Sequence, residues 1–418
     1  MTELVENALN RFTKNIIFCL TGEQTDVKGL LVKRHIENLQ THGDFSFPNS
    51  VKSWHDFVIC DQVSDKENIT FLEAINKNPE DIVEASKNWG LPVCKVKVEK
   101  ARIYLFLQRS LAIPVGLLEA LRNNSNISLR ILRKCSTVHL DPLCEDNNDI
   151  TSLRTKYVKN VIENICAVHN LNSSVFVTCK STSKREGYSR VLCGTVLNAK
   201  TCAKETIIVA DDFISKRQNE ISLIAQHKYG VRVSRDSKWK EFIEHLGESA
   251  VAFELLQTKP SGAVKINFDN CAGGSTKGAS FVLYNCARLE SIIRTFNENV
   301  SKGTYPALPE FNDVDWSLLT DEDEWCLIFK YILGFPSLLD VCFEIKDQSC
   351  EFRPHHLCSF LCSMVREFSQ YYRRVRILTE PRKHLLPVIF ARIYMLKILN
   401  DALKTCLKIL NIKSVSQM

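Results

Sequence analysis

Near the C-terminal end of this 418-residue chain, Tyr371, Tyr372, Arg373, Arg374 and Arg376 interleave phenol rings with guanidinium groups. Aromatic faces stack on unpaired bases and guanidinium groups bond phosphates, so this cluster suits a looped RNA. Three further cations, Lys397, Lys404 and Lys408, fall on a single helical stripe downstream. A second chemically suggestive group is His355, His356, Cys358 and Cys362. On a helix, 355, 358 and 362 share a face, and zinc takes those ligand types. No second CxxC-like pair completes a set, so these thiols read as core and no metal is expected. No cysteine can be given a base and an orienting partner, so nucleophilic catalysis is not expected either.

Two helices must carry the tyrosine–arginine cluster and the lysine stripe. In HLCSFLCSMVREFSQYYRRVRIL, apolar residues recur at three- and four-residue steps: Leu357, Leu361, Met364, Phe368, Tyr371 or Tyr372, Val375 and Leu378. In VIFARIYMLKILNDALKTCLKILNI, the same period runs through Ile389, Ile393, Leu396, Leu403, Leu407 and Leu410. Glu380-Pro381-Arg382-Lys383 is the basic hinge between them.

Upstream, the patterns change character. Leu4, Val5, Ala8, Leu9 and Phe12 predict an opening amphipathic helix, followed by the apolar run IIFCL and a second helix over GLLVKRHIENL. Thr41 to Pro48 predicts a turn leading into extended chain. A helix is expected from Thr70 to Asn88, stopped by Trp89-Gly90-Leu91-Pro92. Strands follow at Val93–Val98 and Ile103–Leu107. After an acidic connector, Leu143 to Asp149, comes the helix LRTKYVKNVIENICAVHN. Strands are then expected at SSVFVTC, YSRVLCGTVL and ETIIVADDF, with a helix from Arg217 to His227. Such alternation predicts a parallel sheet.

Composition narrows the class. Lys and Arg number 54 against 48 Asp and Glu, a net charge of +6 that permits nucleic acid without demanding it. The N-terminus has no basic segment before an apolar core, so no signal peptide is expected. The longest apolar run, LLPVIFARIYML, is broken by Arg392, so no membrane association is expected. Seventeen scattered cysteines, an odd number, read as reduced thiols, and a cytoplasmic location is expected. Cys271-Ala272-Gly273-Gly274-Ser275 fits neither a Walker loop nor GxGxxG.

Phe368-Ser369-Gln370-Tyr371-Tyr372, Val375-Arg376-Ile377-Leu378, Asp401-Ala402-Leu403-Lys404, Leu410-Asn411-Ile412 and the closing Met418 resemble the end of an arginyl-tRNA synthetase. That family ends in a helical anticodon-binding domain named for a D-A-L-R tetrad, here DALK. The segment Leu246 to Leu256 is similar to the one that follows the KMSKS loop in those enzymes. Asn267-Phe268-Asp269, Gly278, Phe281, Tyr284, Ala287-Arg288 and Ser291-Ile292 resemble their Tyr-x-x-Tyr-x-x-Ala-Arg-x-x-Ser-Ile helix, with Phe281 in place of a tyrosine and Cys286 in place of a histidine. WCLIFKYILGFPSLLDVC fits the family as a helix. HGDFSFP and VEKARIYLFLQ resemble its N-terminal additional domain.

The resemblance implies three units: an N-terminal additional-type α/β domain (1–122), a degenerate class I Rossmann-like α/β domain (123–278), and an all-α helical-bundle DALR anticodon-binding domain (279–418). It implies tRNA contacts at Tyr284 and Arg288, and Met418 near the anticodon bases. It also places Asp44, Phe45 and Tyr104 at the tRNA corner, with Leu105 and Phe106 read as strand core. Neither catalytic motif of the family is present. Ten histidines include no His-x-Gly-His, and Lys180–Lys184 and Lys200–Lys204 do not match KMSKS. The implied protein is therefore a non-catalytic relative with no cofactor of its own. It would bind arginine tRNA, not DNA, and present it to a tRNA 3-methylcytidine methyltransferase that holds S-adenosylmethionine. A protein-interaction scaffold without tRNA specificity and a divergent ATP-dependent ligase are the alternatives.

Overall fold

The computed structural model describes residues 7–23, 31–57, 69–133, 137–229, 237–268, 274–346 and 349–416. Expectations resting on Leu4, Val5, Cys271 to Gly273 and Met418 lie outside the described residues.

Helix α1 (Ala8–Thr21) starts where the Asn7 side chain accepts from the Asn10 N–H at 3.1 Å, and it absorbs the IIFCL run. Gly22 ends it at φ +76°, a conformation glycine adopts without strain. The helix expected over GLLVKRHIENL is replaced by strand β1 (Lys33–Arg34) and the single turn α2 (Leu39–His42). Pairing decides this: Arg34 stands opposite Phe45 of β2 (Phe45–Pro48), and the His35 ring bonds the Ser46 hydroxyl at 2.8 Å. The helix expected over Thr70–Asn88 is broken into α3 (Phe71–Ala74) and α4 (Pro79–Ser86). Asn76 turns left-handed at φ +50°, and Pro79 cannot donate back into a preceding helix. Strands β3 (Val93–Val98) and β4 (Arg102–Leu107) form as expected and complete an antiparallel sheet of order β1-β2-β4-β3. Helix α5 (Arg109–Leu132) then runs through the boundary expected at 122/123.

The middle region holds β5 (Val138–Leu140), α6 (Pro142–Glu145), α7 (Ile150–His169), β6 (Val175–Thr178), β7 (Ser189–Leu192), β8 (Val196–Asn198), α8 (Ala210–Tyr229), α9 (Ser237–Leu256) and β9 (Val264–Ile266). Pairing is parallel, as the alternation predicts: β5-β6-β7 make one sheet, β8-β9 another. YSRVLCGTVL thus supplies two strands to two sheets. ETIIVADDF is not a strand. The Glu205 carboxylate accepts from the N–H groups of Ile207 and Ile208 at 2.8 and 3.1 Å, folding the segment into a bend, and α8 begins five residues later at Ala210.

A buried cation fastens this region. Arg154 of α7 is 0% exposed and donates to five backbone carbonyls: Leu255, Thr258, Lys259, Gly194 and Gly262, at 2.7–3.3 Å. Close by, Arg217 of α8 is buried between the carboxylates of Glu220 and Glu254.

The C-terminal region comprises α10 (Gly274–Ser301), α11 (Glu322–Cys326), a π-helical stretch at Leu327–Ile332, α12 (Phe335–Val341), β10 (Phe343–Lys346), β11 (Ser349–Phe352), α13 (Pro354–Arg374) and α14 (Leu386–Ile409). The unit expected to be all helical therefore carries an antiparallel hairpin, β10–β11. The WCLIFKYILGFPSLLDVC helix is three successive pieces. Helix α13 stops at Arg374, leaving Val375 to Leu378 outside it. Fourteen described cysteines are free thiols, and among the described residues no helix is long and apolar enough to cross a membrane.

Candidate nucleic-acid interface

Helix α10 packs against both α13 and α14. Along its outer face, Tyr284 and Arg288 lie one turn apart, and Tyr372 reaches them from the last turn of α13. The Arg288 guanidinium carbon sits 4.5 Å from the centre of the Tyr284 ring and 4.7 Å from that of Tyr372. Its Nη2 donates to the Tyr284 hydroxyl at 2.7 Å and its Nη1 to Asn285 Oδ1 at 3.3 Å. Both rings remain 39% exposed. They border a cleft of about 570 Å³ completed by Ser291, Arg294, Thr295 and Leu378. An arginine held within cation–π distance of two accessible rings offers stacking surfaces and a cation in one place. Phe281, also exposed, extends the aromatic strip by one turn.

Three expected contact residues thus come together: Tyr284, Arg288 and Tyr372. Arg373 and Arg376 are exposed nearby, and so is Arg374, which is already paired with Asp323. Arg294 and Thr295 were not anticipated. Thr295 has a sequence signal, since 284, 288, 291 and 295 repeat at helical steps, and Arg294 falls outside that repeat.

Tyr371 is a correction. It is fully buried, and its hydroxyl donates at 2.9 Å to Glu324, which also accepts from Arg392 Nε at 2.7 Å. Glu324 is itself buried, so this triad ties α11, α13 and α14 together and offers no face to a base. Burial and the adjacent carboxylate push the Tyr371 phenol far above its ordinary range.

The lysine stripe does not extend this surface. Lys404 pairs with Glu290 of α10, which also accepts from Asn400. Glu290 lies about 200° around α10 from Arg288, so Lys404 stands on the opposite side of that helix. Lys408 donates to the Ser128 carbonyl of α5 at 3.2 Å. Lys397 lies 5.8 Å from the Tyr394 ring.

Two of the residues expected at a tRNA corner are interior. Asp44 accepts from the Leu107 N–H at 2.7 Å and from Trp325 Nε1 at 2.8 Å, joining the N-terminal sheet to α11. Burial pushes its carboxyl up to about 6. The Phe45 ring is 4.4 Å from Phe12 and 5.8 Å from Phe329. Tyr104 alone faces outward, stacked at 5.8 Å on His42 with Lys97 5.9 Å away. Leu105 is core, whereas Phe106 is half-buried under Lys95. Cys358 is buried in the core, and among the described residues no group of three His, Cys, Asp or Glu side chains is placed to hold a metal. Lys180–Lys184 follows β6 and Lys200–Lys204 follows β8, both in loops.

Residues 282–418 match the model of the DALR anticodon binding domain. The architecture as a whole is that of the arginyl-tRNA synthetases: the crystal structure of arginyl-tRNA synthetase from Plasmodium falciparum aligns with a TM-score of 0.60 at 10% identity, covering 100% of each chain. The chain thus combines a segment that matches the DALR anticodon binding domain with an arginyl-tRNA synthetase-like fold. In sequence it is similar to DALR anticodon-binding domain-containing protein 3 of Rattus norvegicus, 31% identical over 231 residues, which are 54% of this chain and 43% of that protein. It is similar also to the protein of that name from Danio rerio, 32% identical over 236 residues, 54% of this chain and 41% of the other. The chain spans less than half the length of the curated relatives it matches.

Proposed function

We propose that this chain is a non-catalytic tRNA-binding adaptor that grips the anticodon stem-loop of arginine tRNAs and presents them to a tRNA 3-methylcytidine methyltransferase. The observation that carries the RNA contact is the Arg288 guanidinium lying between the exposed rings of Tyr284 and Tyr372. The DALR match over 282–418 supports an anticodon-directed reading of that face. Arg373 and Arg376 would supply phosphate contacts at its edge, with Tyr104 and His42 as a second, distant stacking platform. The non-catalytic reading is supported by the missing His-x-Gly-His and KMSKS motifs. The relatives named DALR anticodon-binding domain-containing protein 3 are not named as ligases, and the methyltransferase is the partner implied by that resemblance.

Total cellular tRNA passed over the purified chain, with sequencing of what is retained, tests this reading. Enrichment of arginine tRNAs supports the adaptor, and loss of that enrichment in Tyr372→Ala places it on the α10/α13 face. A second reading, a protein scaffold, is favoured by the engagement of Arg374, Lys404 and Lys408 within the chain itself. It is adopted if no tRNA is retained while the methyltransferase still binds.

A further inference from the structure

On the far side of α10 from Arg288, a cleft of about 670 Å³ opens between α5 and the end of α14. We infer that it is a binding site for a phosphorylated sugar such as a nucleotide. This inference does not depend on the tRNA reading of the α10/α13 face. Its volume lies within the usual range for small-ligand sites, roughly 300–1,000 Å³.

The cations come from α14 and the segment after it: Lys404, Lys408 and Lys413. Glu290 neutralises Lys404, and Asp401 opposes one more charge. Lys408 spends one N–H on the Ser128 carbonyl, and Lys413 makes no ion pair among the described residues, so the cleft keeps a net positive charge suited to one phosphate.

Asn124 of α5 supplies the second observation. It lines the cleft, is only 7% exposed, and among the described residues neither its Oδ1 nor its Nδ2 has a hydrogen-bond partner. Buried amides are normally satisfied. A fully deprotonated anion such as sulfate could accept from Nδ2 but leaves Oδ1 wanting a donor, and inorganic phosphate has only its own P–O–H to offer it. A phosphate carried on a hydroxylated sugar answers both. Leu121 and Ile412 add an apolar wall for a sugar or base face.

The walls are fixed before any ligand arrives. Asn164 of α7 donates to the carbonyls of Lys408 and Ile409 at 3.2 and 3.0 Å. His245 of α9 donates to the Lys413 carbonyl at 2.8 Å.

The test is isothermal titration of the full chain with adenosine monophosphate, inorganic phosphate, and a short RNA carrying a terminal phosphate. Adenosine monophosphate is expected to bind at least about tenfold more tightly than inorganic phosphate. Lys408→Met with Lys413→Met, and separately Asn124→Ala, each weaken it by about tenfold or more. Because the Asn124 amide has no partner to lose, Asn124→Ala keeps or raises the thermal midpoint while losing ligand. Preference for the phosphorylated RNA over the mononucleotide assigns the site to an RNA end, and the reverse preference assigns it to a free nucleotide. Absence of saturable binding by either up to about 5 mM, or binding unmoved by both variants, overturns the inference.

Discussion

Replacing Arg288 by alanine probes the α10/α13 face at its centre. The guanidinium lies 4.5 and 4.7 Å from two ring centres, and both rings are 39% exposed. At such partly exposed sites each cation–π contact contributes about 0.5–1 kcal/mol, so the pair holds the tyrosines in position by about 1–2 kcal/mol. One charge-assisted bond to the RNA adds about 1 kcal/mol more. The sum, about 2–3 kcal/mol, corresponds to roughly 30- to 150-fold weaker tRNA binding. Fluorescence anisotropy with an arginine tRNA, titrated at several salt concentrations, reads both affinity and slope. Loss of one phosphate contact should reduce the slope of log K against log salt by about 0.7–0.9. Arg288→Lys keeps the charge but not the planar fork, so it should retain the slope while losing most of the affinity. A folded Arg288→Ala variant with unchanged affinity and slope would refute the assignment.

Changing Arg373, Arg374 and Arg376 together to glutamine should weaken tRNA binding and flatten its salt slope by about two contacts, because Arg374 is already held by Asp323. Tyr371→Phe should leave tRNA affinity unchanged and lower stability by about 1–2 kcal/mol in urea denaturation, the reverse of Tyr372→Ala. Arg154→Met strips donors from five buried carbonyls and should cost at least about 3 kcal/mol, measured by the shift in the urea midpoint; Arg154→Lys should recover part of it. His169, packed 4.4 Å from the Phe343 ring with a buried, unpartnered Nε2, has its pKa lowered to about 4 by burial. Its contribution is complete above about pH 6.5 and is lost as pH falls toward 4, up to about 2–3 kcal/mol; His169→Leu should flatten that part of the stability–pH profile.

How far the residues announced this arrangement depends on the kind of signal. Helical periodicity identified α13 and α14, because an apolar stripe is a property of the sequence itself. It could not choose between Tyr371 and Tyr372, which are adjacent: one turns in to Glu324 and the other out to Arg288, and only the packing of α11 decides. The lysine stripe failed for a related reason. Three cations on one helix face read as open until Glu290 and the Ser128 carbonyl, distant in sequence, arrive beside two of them. Gly-Asp-Phe at 43–45 marked a turn correctly, but the partners of Asp44 are the Leu107 N–H and Trp325, which no local pattern indicates. Where β pairing competes with helical pattern, as at Lys33–Arg34, the sheet wins because its hydrogen bonds and side-chain contacts are non-local.

The middle region shows what a parallel-stranded unit does when its rigid cations are turned inward. A phosphate site needs N–H groups aimed at open space. Arg154 instead aims its donors at five main-chain carbonyls, including Leu255 in the last turn of α9, where the helix dipole is negative. Arg217 divides its donors between Glu220, Glu254 and the Asn267 carbonyl. Both guanidinium groups are 2% exposed or less, so neither is available to a nucleotide. What they do is fix α7, α8 and α9 relative to β8 and β9. Two of those helices then reach the end of α14, through Asn164 on the carbonyls of Lys408 and Ile409 and through His245 on that of Lys413. The region therefore acts on the C-terminal helices mechanically, setting where α14 ends and hence the width of the cleft beside Asn124.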